Sequence, residues 1–450
     1  MPANPDDAAF TFADIFGGIG GFHAALSAAG GHCTDAVEID DAAARVYTRN
    51  WGHDPKGDIT MKANDDGVTV ADHEVLAAGY PCQPFSKSGK QRGMDEARGT
   101  LFWNIARIAQ IKQPKVLLLE NVRNVAGPRH EHEWTTMVTT LRQLGYRVAD
   151  LPAVMSPHLI PPEMGGRPQV RERVFLTATY VGTDAPKSDL IAEPIFRNRP
   201  IVSSWDPQNW DLEKHLPLDP DRHAEGCDLS VAERHWIRAW DAFVQMMWEL
   251  RHGKRLEGFP LWVDAWVPWQ DFEMPPGTPP WKASFLIKNS KFYTDYQSDL
   301  DRWIAEWGVK TDAFPPSRRK FEWQAQDTPT LKECVMHFRP SGIRAKRPTY
   351  LPALVAITQT SIIGSRDRRL STVEAARLQG LPDWFDFGDQ RSPATYRQLG
   401  NGVNVGVVWH VLKAHVERDK DILRETAPRL FAAVDALPDS PDSLLEAMRR

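Results

Sequence analysis

Phe10 to Ile15 is a short apolar run, stopped by Gly17-Gly18-Ile19-Gly20-Gly21. Phe22, Ala25, Leu26 and Ala29 then recur at the spacing of one helix face. The predicted order is strand, glycine turn, helix. A second strand is expected from Thr34 to Ile39, ending near Glu38. Val75 to Ala78 is a third apolar run, short enough for a buried strand, and it stops at Gly79. A helix over 100–111, a buried strand at Val116-Leu117-Leu118-Leu119 and a helix over 134–144 continue the alternation. A strand over 146–154 and another at Val174-Phe175-Leu176 follow. Strands alternating with helices predict an α/β fold, with a mostly parallel sheet and helices on both faces.

The alternation stops near Gly182, where prolines become frequent. Twelve of the seventeen tryptophans lie between Trp205 and Trp323, so some of these aromatics must be core. Helices are expected over 231–250 and 295–307, with Trp236, Trp240, Phe243 and Met247 as a core face. Basic residues then gather, at Arg318-Arg319-Lys320 and at Arg339, Arg344, Lys346 and Arg347. Such clusters fit phosphate contacts or a solvated face. Near residue 350 the α/β character resumes. Ser371 and Glu374 have the spacing of a capping box for a helix over 371–380. Tyr396-Arg397-Gln398-Leu399-Gly400-Asn401-Gly402-Val403 is expected to open a long helix through about Val416, with a Gly-Asn-Gly turn that invites close backbone approach by a ligand or is an ordinary turn. The last thirty residues read as a peripheral helical tail.

At 450 residues the chain has room for two or three domains. Its net charge of −5 excludes a global basic field, so any nucleic-acid contact must come from local patches. Four cysteines (Cys33, Cys82, Cys227, Cys334) have no metal-ligand spacing, which argues against zinc and against a disulfide framework. That usage fits a reducing cytosol. His130-Glu131-His132 lacks the spacing of a helical metal pair and reads as solvated loop. No apolar signal region or membrane-spanning run is visible. The expectation is a soluble, cytoplasmic protein.

Chemistry concentrates at strand ends. Cys82 follows the third strand between Pro81 and Pro84, so its thiol is presented rather than buried. Glu38 lies about 20 positions past the glycine turn, where an acid can accept bonds from two ribose hydroxyls. Asp58 sits at a further loop and suits an adenine amino group. These features suit a nucleoside, although a glycine turn alone is common. Glu120 ends the apolar run 116–119, which makes it a proton-holding acid or a loop acid. Arg171 and Arg173 fall on one face of an extended segment, so both are expected to point into one site.

Taken in order, six blocks resemble the DNA cytosine-5 methyltransferase family. They are Asp14-Ile15-Phe16-Gly17-Gly18-Ile19-Gly20-Gly21, Pro81-Cys82-Gln83, Glu120-Asn121-Val122, Gln169-Val170-Arg171-Glu172-Arg173, the helix 371–380 and Gly400-Asn401-Gly402-Val403. The resemblance covers roughly 9–180 and 350–415. Two departures are the Pro/Gly-rich approach from Pro161 to Pro168, and Gly402, where many members have Ser.

The resemblance implies an S-adenosylmethionine-dependent methyltransferase (Rossmann-like) sheet with a smaller inserted target-recognition domain. The implied division is a catalytic domain at 1–181, target recognition at 182–345, a return to the catalytic domain at 346–420 and the tail at 421–450. It implies methyl transfer from S-adenosyl-L-methionine to carbon 5 of a flipped-out cytosine in a specific duplex sequence. Cys82 would be the nucleophile, Glu120 the group at N3, and Arg171 and Arg173 those at O2. Phe16, Gly18, Gly20, Glu38, Ile39, Asp58, Ile59, Pro81, Asn401 and Val403 would hold the cofactor. Gln83, Ser86, Ser88, Arg98, Arg344, Lys346 and Arg347 would meet DNA, and the loop 86–99 would close over the flipped base. The implied setting is a prokaryotic monomer at the nucleoid, in an epigenetic role or with a cognate restriction endonuclease encoded nearby. Other readings are an RNA cytosine methyltransferase, a non-enzymatic relative, and an NAD oxidoreductase that would leave Cys82 and Glu120 without a role.

Overall fold

A computed structural model describes residues 7–81, 100–220, 224, 226–354 and 360–449. Cys82, Gln83, Ser86, Ser88, Arg98 and the loop 86–99 lie outside the described residues. The chain divides into two compact units. The first holds residues 1–217, 352–358 and 372–450; the second holds 218–351 and 359–371.

The first unit starts with β1 (Phe10–Ile15), α1 (Gly21–Ala28), β2 (Gly31–Val37) and α2 (Asp41–Trp51). It continues through β3 (Val75–Gly79), α3 (Leu101–Lys112), β4 (Val116–Val122) and α4 (Glu131–Gln143). Then come β5 (Tyr146–Ala149), β6 (Ala153–Met155), β7 (Arg173–Tyr180) and β8 (Ile191–Ala192). The strand order is β8-β5-β7-β4-β3-β1-β2, with β6 also on β7. β2, β1, β3 and β4 run parallel, while β7 runs antiparallel to β4 and β5. Val75 to Ala78 and Val116 to Leu118 are wholly buried, as strands covered on both faces must be. Each such Val or Leu contributes roughly 1.5–3 kcal/mol by leaving water.

Two features of this sheet position the site. The order reverses between β1 and β3, which opens a crevice at their carboxyl ends. Antiparallel β7 enters at the edge where the parallel strands leave. Arg173 therefore lies opposite Val122, within reach of Glu120.

The second unit contains α5 (Val231–Leu250), β9 (Leu261–Trp262), α6 (Pro280–Asp295), α7 (Gln297–Trp307) and β10 (Lys320–Trp323). It ends with β11 (Val335–Arg339), β12 (Gly342–Lys346), β13 (Ile362–Ile363) and β14 (Arg368–Arg369). Its six-stranded sheet has the order β9-β10-β12-β11-β13-β14. Ser230 and Glu233 form a capping box that starts α5. Trp240, Phe243 and Met247 are fully buried, and Trp236 is half-buried beside them. The chain returns to the first unit as α8 (Thr372–Leu378), α9 (Ser392–Asn401), α10 (Val405–Arg418), α11 (Lys420–Thr426), α12 (Pro428–Asp435) and α13 (Asp442–Ala447).

Several expectations are corrected. The second unit begins at Leu218 instead of 182, because 182–217 packs on the first: Ile191 and Ala192 extend the sheet beside β5, and Trp210 is buried with its indole N–H on the His158 carbonyl. The tail is not peripheral, since Leu423, Leu430, Val434 and Leu445 are buried. The single strand over 146–154 is two, and α6 was unforeseen. The helix expected from Tyr396 onward is also two, broken at Gly402: α9 ends at Asn401 and α10 begins at Val405. Asn404 caps α10 by accepting from the Val407 amide. Among the described residues, no helix is long and apolar enough to cross a membrane.

Candidate active site

The crevice at the β1/β3 switch is a cavity of about 550 Å³, a size suited to a small organic ligand. Its floor is the glycine turn. Phe16 (φ 58°), Gly18 (φ 57°) and Gly20 (φ 90°) all sit in the left-handed region, which bends the chain sharply from β1 into α1. A side chain on Gly18 would meet no atom within 4 Å and would project into open space. The Gly18 amide donates to Glu38 Oε2 at 2.8 Å, and the Asp40 amide donates to Oε1 at 2.7 Å. The Glu38 carboxylate thereby ties the turn to the end of β2. Each of its oxygens keeps a second lone-pair direction free for a ligand hydroxyl. Asp58 Oδ1 accepts from the Thr60 amide and hydroxyl, which holds that acid at the rim. Ile39 is 64% exposed and Ile59 is buried, and both line the cavity. So do Phe16, Pro81, Asn401 and Val403.

Gly20 does not line the cavity. A side chain there would run into the Trp51 indole, so this glycine serves close packing behind the turn. The indole N–H donates to the Ile19 carbonyl at 3.0 Å. Beneath the turn lies a buried polar group that sequence reasoning passed over. His23 Nδ1 is 2.7 Å from the Tyr47 hydroxyl, which donates to Asp14 Oδ2 at 3.3 Å. Burial pushes the Asp14 carboxyl up to about 7, against the opposing hydrogen bond from Tyr47.

At the far wall, Arg173 Nε meets Glu120 Oε1 at 2.8 Å. Burial pushes the Glu120 carboxyl above its ordinary range, opposed by the charges of Arg173 and then Arg171. Gly79 faces Glu120: a Cβ there would sit 3.5 Å from Oε2, in ordinary van der Waals contact. Glu120 and Arg173 both line the cavity.

Arg171 does not join them. Its guanidinium is buried and donates to the carbonyls of Leu354 (2.9 Å), Gly400 (2.8 Å) and Gly402 (2.6 Å). The expectation failed because strand geometry lapses at Arg171 and Glu172, between the short strand Gln169–Val170 and β7. The rule that i and i+2 share a face then no longer applies. Burial and the neighbouring Arg173 lower the Arg171 pKa to about 9. Instead of facing the cavity, Arg171 holds the glycine loop that forms part of its wall.

Phe22, Asn121, Arg397 and Gln398 also line the cavity. Asn121 was legible as the neighbour of Glu120. Arg397 and Gln398 come from α9 and carry no local signal. The three described DNA-contact candidates are engaged within the second unit. Arg344 pairs with Glu322 at 2.6 Å, Lys346 donates to the Tyr350 carbonyl at 2.6 Å, and Arg347 pairs with Asp327. Glu131 and His132 begin α4 instead of lying in a loop, and no cluster of metal-ligating side chains occurs among the described residues.

The profile described as "C-5 cytosine-specific DNA methylase" matches residues 10–417. The chain belongs to that family. It is 47% identical to the Type II methyltransferase M.AluI of Cellulosimicrobium cellulans, over 98% of both chains. It is 28% identical to the Type II methyltransferase M.HgiBI of Herpetosiphon aurantiacus, over 90% of this chain and 96% of that one. The methylase is 41% identical to the Type II methyltransferase M.HhaI of Haemophilus parahaemolyticus over 37% of this chain and 47% of that one. Among solved structures, the S. pombe Dnmt2 methyltransferase aligns over 91% of this chain and 98% of its own, with TM-score 0.44 and 16% identity.

The methylase is thus a DNA cytosine-5 methyltransferase, and covalent catalysis by cysteine and base flipping are properties of its family. Family membership implies S-adenosylmethionine as methyl donor, and the cavity fits it. Glu38 has acceptor capacity for a ribose diol, Asp58 stands beside the apolar Ile39 and Ile59, and the space before Gly18 is open.

Proposed function

We propose that the enzyme methylates cytosine in a short duplex sequence, with Cys82 as nucleophile and Glu120 and Arg173 as the groups that stabilise the activated ring. The observation that carries this reading is the Glu120–Arg173 pair in the wall of the cavity that Pro81 also lines, one residue before Cys82. The Cys82 thiolate forms a bond from Sγ to carbon 6 of the flipped base. The electrons of the C5–C6 double bond move toward N3 and O2. Glu120, whose burial favours its protonated form, donates to N3. Arg173 sits beside it with guanidinium donors for O2.

Phe16, Glu38, Ile39, Asp58, Ile59, Pro81, Asn401 and Val403 would hold S-adenosylmethionine, which would supply the electrophilic methyl group: carbon 5 bonds to that methyl as its bond to the sulfonium sulfur breaks, and S-adenosyl-L-homocysteine leaves. A base then takes the proton from carbon 5, Sγ leaves carbon 6 as thiolate and N3 returns its proton to Glu120, which restores the aromatic ring. Arg171 supports the site through the loop carbonyls. The second compact unit reads the target sequence by side chains reaching base edges. The setting is restriction–modification in a prokaryotic cytoplasm, with the enzyme acting as a monomer beside an endonuclease of matching specificity.

The test is bisulfite sequencing of plasmid DNA from cells expressing the wild type or Cys82→Ala. Protected cytosines confined to one short motif, and absent with the variant, are expected. Equal protection by both proteins would overturn the assignment of Cys82.

A further inference from the structure

Residues 437–447 lie beyond the family match, which ends at 417, yet they are bound into the first unit. Arg167 stands just before the arginine segment 169–173. Its guanidinium grips Asp442 with two bonds, Nη2 to Oδ1 at 2.7 Å and Nη1 to Oδ2 at 3.3 Å. The same guanidinium donates from Nε to the Arg377 carbonyl at 3.0 Å. Pro441 presses on the adjacent turn: a Cβ on Gly165 would lie 2.7 Å from Pro441 Cδ. The tail is itself anchored. Trp409 Nε1 donates to the Pro438 carbonyl at 3.1 Å, and Trp384 Nε1 donates to the Leu445 carbonyl at 3.0 Å. Leu445 is buried, and α13 packs against α1, the helix that follows the glycine turn.

From Arg167 the chain runs two residues to the short strand Gln169–Val170 and then to Arg171, whose guanidinium carries the Gly400 and Gly402 carbonyls of the cavity wall. Two residues further, Arg173 meets Glu120. Asp442 thus stands at the start of a continuous run of hydrogen bonds and short chain that ends at the acid pair.

We propose that the tail segment 437–447 is a positioning strap for the arginine segment, acting through the Asp442–Arg167 pair. Asp442 touches neither the cavity nor any group assigned to the reacting base, so it is a positioning residue. The bidentate geometry sets the direction of Arg167 as well as its distance. A displacement of about 1 Å at a reacting group is enough to lower a rate by about a hundredfold, so a strap of this kind has leverage on turnover.

This inference rests on the proposed roles of Glu120 and Arg173, and the experiment separates the two. Asp442→Asn keeps the shape of the side chain and removes the charge that holds both guanidinium nitrogens. Asp442→Glu restores the charge. Amide hydrogen exchange over 169–173 in the full-length protein without cofactor reports the strap independently of any reaction. Exchange there is expected to rise at least severalfold in Asp442→Asn and to return toward wild type in Asp442→Glu. In steady-state assays, kcat for Asp442→Asn is expected to fall about tenfold, with KM for duplex DNA and for S-adenosylmethionine within about twofold of wild type. Unchanged exchange in Asp442→Asn overturns the strap. So does a loss of activity that only tracks the fraction of folded protein, or one that the Glu variant fails to recover. Raised exchange with unchanged kcat would leave the strap standing and count against the catalytic role of Arg173.

Discussion

Glu120→Gln separates a catalytic acid from a structural ion pair, because the two roles predict opposite balances of stability and rate. Glu120 and Arg173 are 2.8 Å apart, with side chains 10% and 17% exposed. Burial raises the Glu120 pKa despite both arginines, so its ionised form costs the folded protein more than the pair returns. Glutamine keeps the shape and removes that cost. Arg173 keeps its bond to the Glu172 carbonyl at 2.9 Å and its share of solvent. Stability at pH 8 is therefore expected to stay within about 1 kcal/mol of wild type, well short of the roughly 3–5 kcal/mol lost when a fully buried charge is orphaned. A raised folded-state pKa means that wild-type stability falls as pH rises through and above the ordinary glutamate range. The variant should therefore gain on the wild type over that interval. Under the proposed role of Glu120, methyl transfer in contrast loses the proton at N3, an expected loss of about 10²–10⁴ in kcat or roughly 3–5 kcal/mol. Urea unfolding followed by circular dichroism, together with transfer of labelled methyl groups to duplex DNA, measures both quantities. A variant destabilised by more than about 3 kcal/mol that retains kcat within tenfold would refute the reasoning.

Three further outcomes follow from groups around the glycine turn. Gly18→Ala adds a methyl facing open space at φ 57°, so it should cost about 1 kcal/mol of stability but raise KM for S-adenosylmethionine severalfold. Gly20→Ala drives its methyl into Trp51 and should cost about 3 kcal/mol, at the upper end of overpacking costs, read from the urea midpoint. Asp14 has a pKa raised from 3.8 to about 7 by burial, so the folded state binds its proton more tightly than the unfolded chain. Stability should fall by up to roughly 4 kcal/mol as pH rises from about 4 to about 7, and level off above that. Asp14→Asn should flatten that slope, and an unchanged profile of urea midpoint against pH would count against it.

Much of the site was legible because its residues sit where short-range patterns end. An apolar run that stops at Gly79-Tyr80-Pro81, another that ends in Glu120, and an acid about twenty positions past a glycine turn are local signals of a parallel sheet's carboxyl edge. Glu38, Asp58, Pro81, Glu120, Arg173, Asn401 and Val403 all line the one cavity. The aromatic face of α5 was readable for the same reason, since helical periodicity is written in neighbouring residues.

Other assignments depended on partners far away in the chain. Whether Arg171 faces a substrate or a carbonyl cage turned on two residues of irregular backbone and on Leu354, Gly400 and Gly402. Gly20 looked like a ligand glycine until the fold set Trp51 behind it. The unit boundary at Leu218 and the burial of the tail were set by which surfaces found apolar cover. Sequence by itself determined the periodicity of the elements, and with it the sheet and the edge where the chemistry lies. Only the tertiary structure decided the direction of each side chain and the reach of the tail, because those depend on contacts between segments hundreds of residues apart.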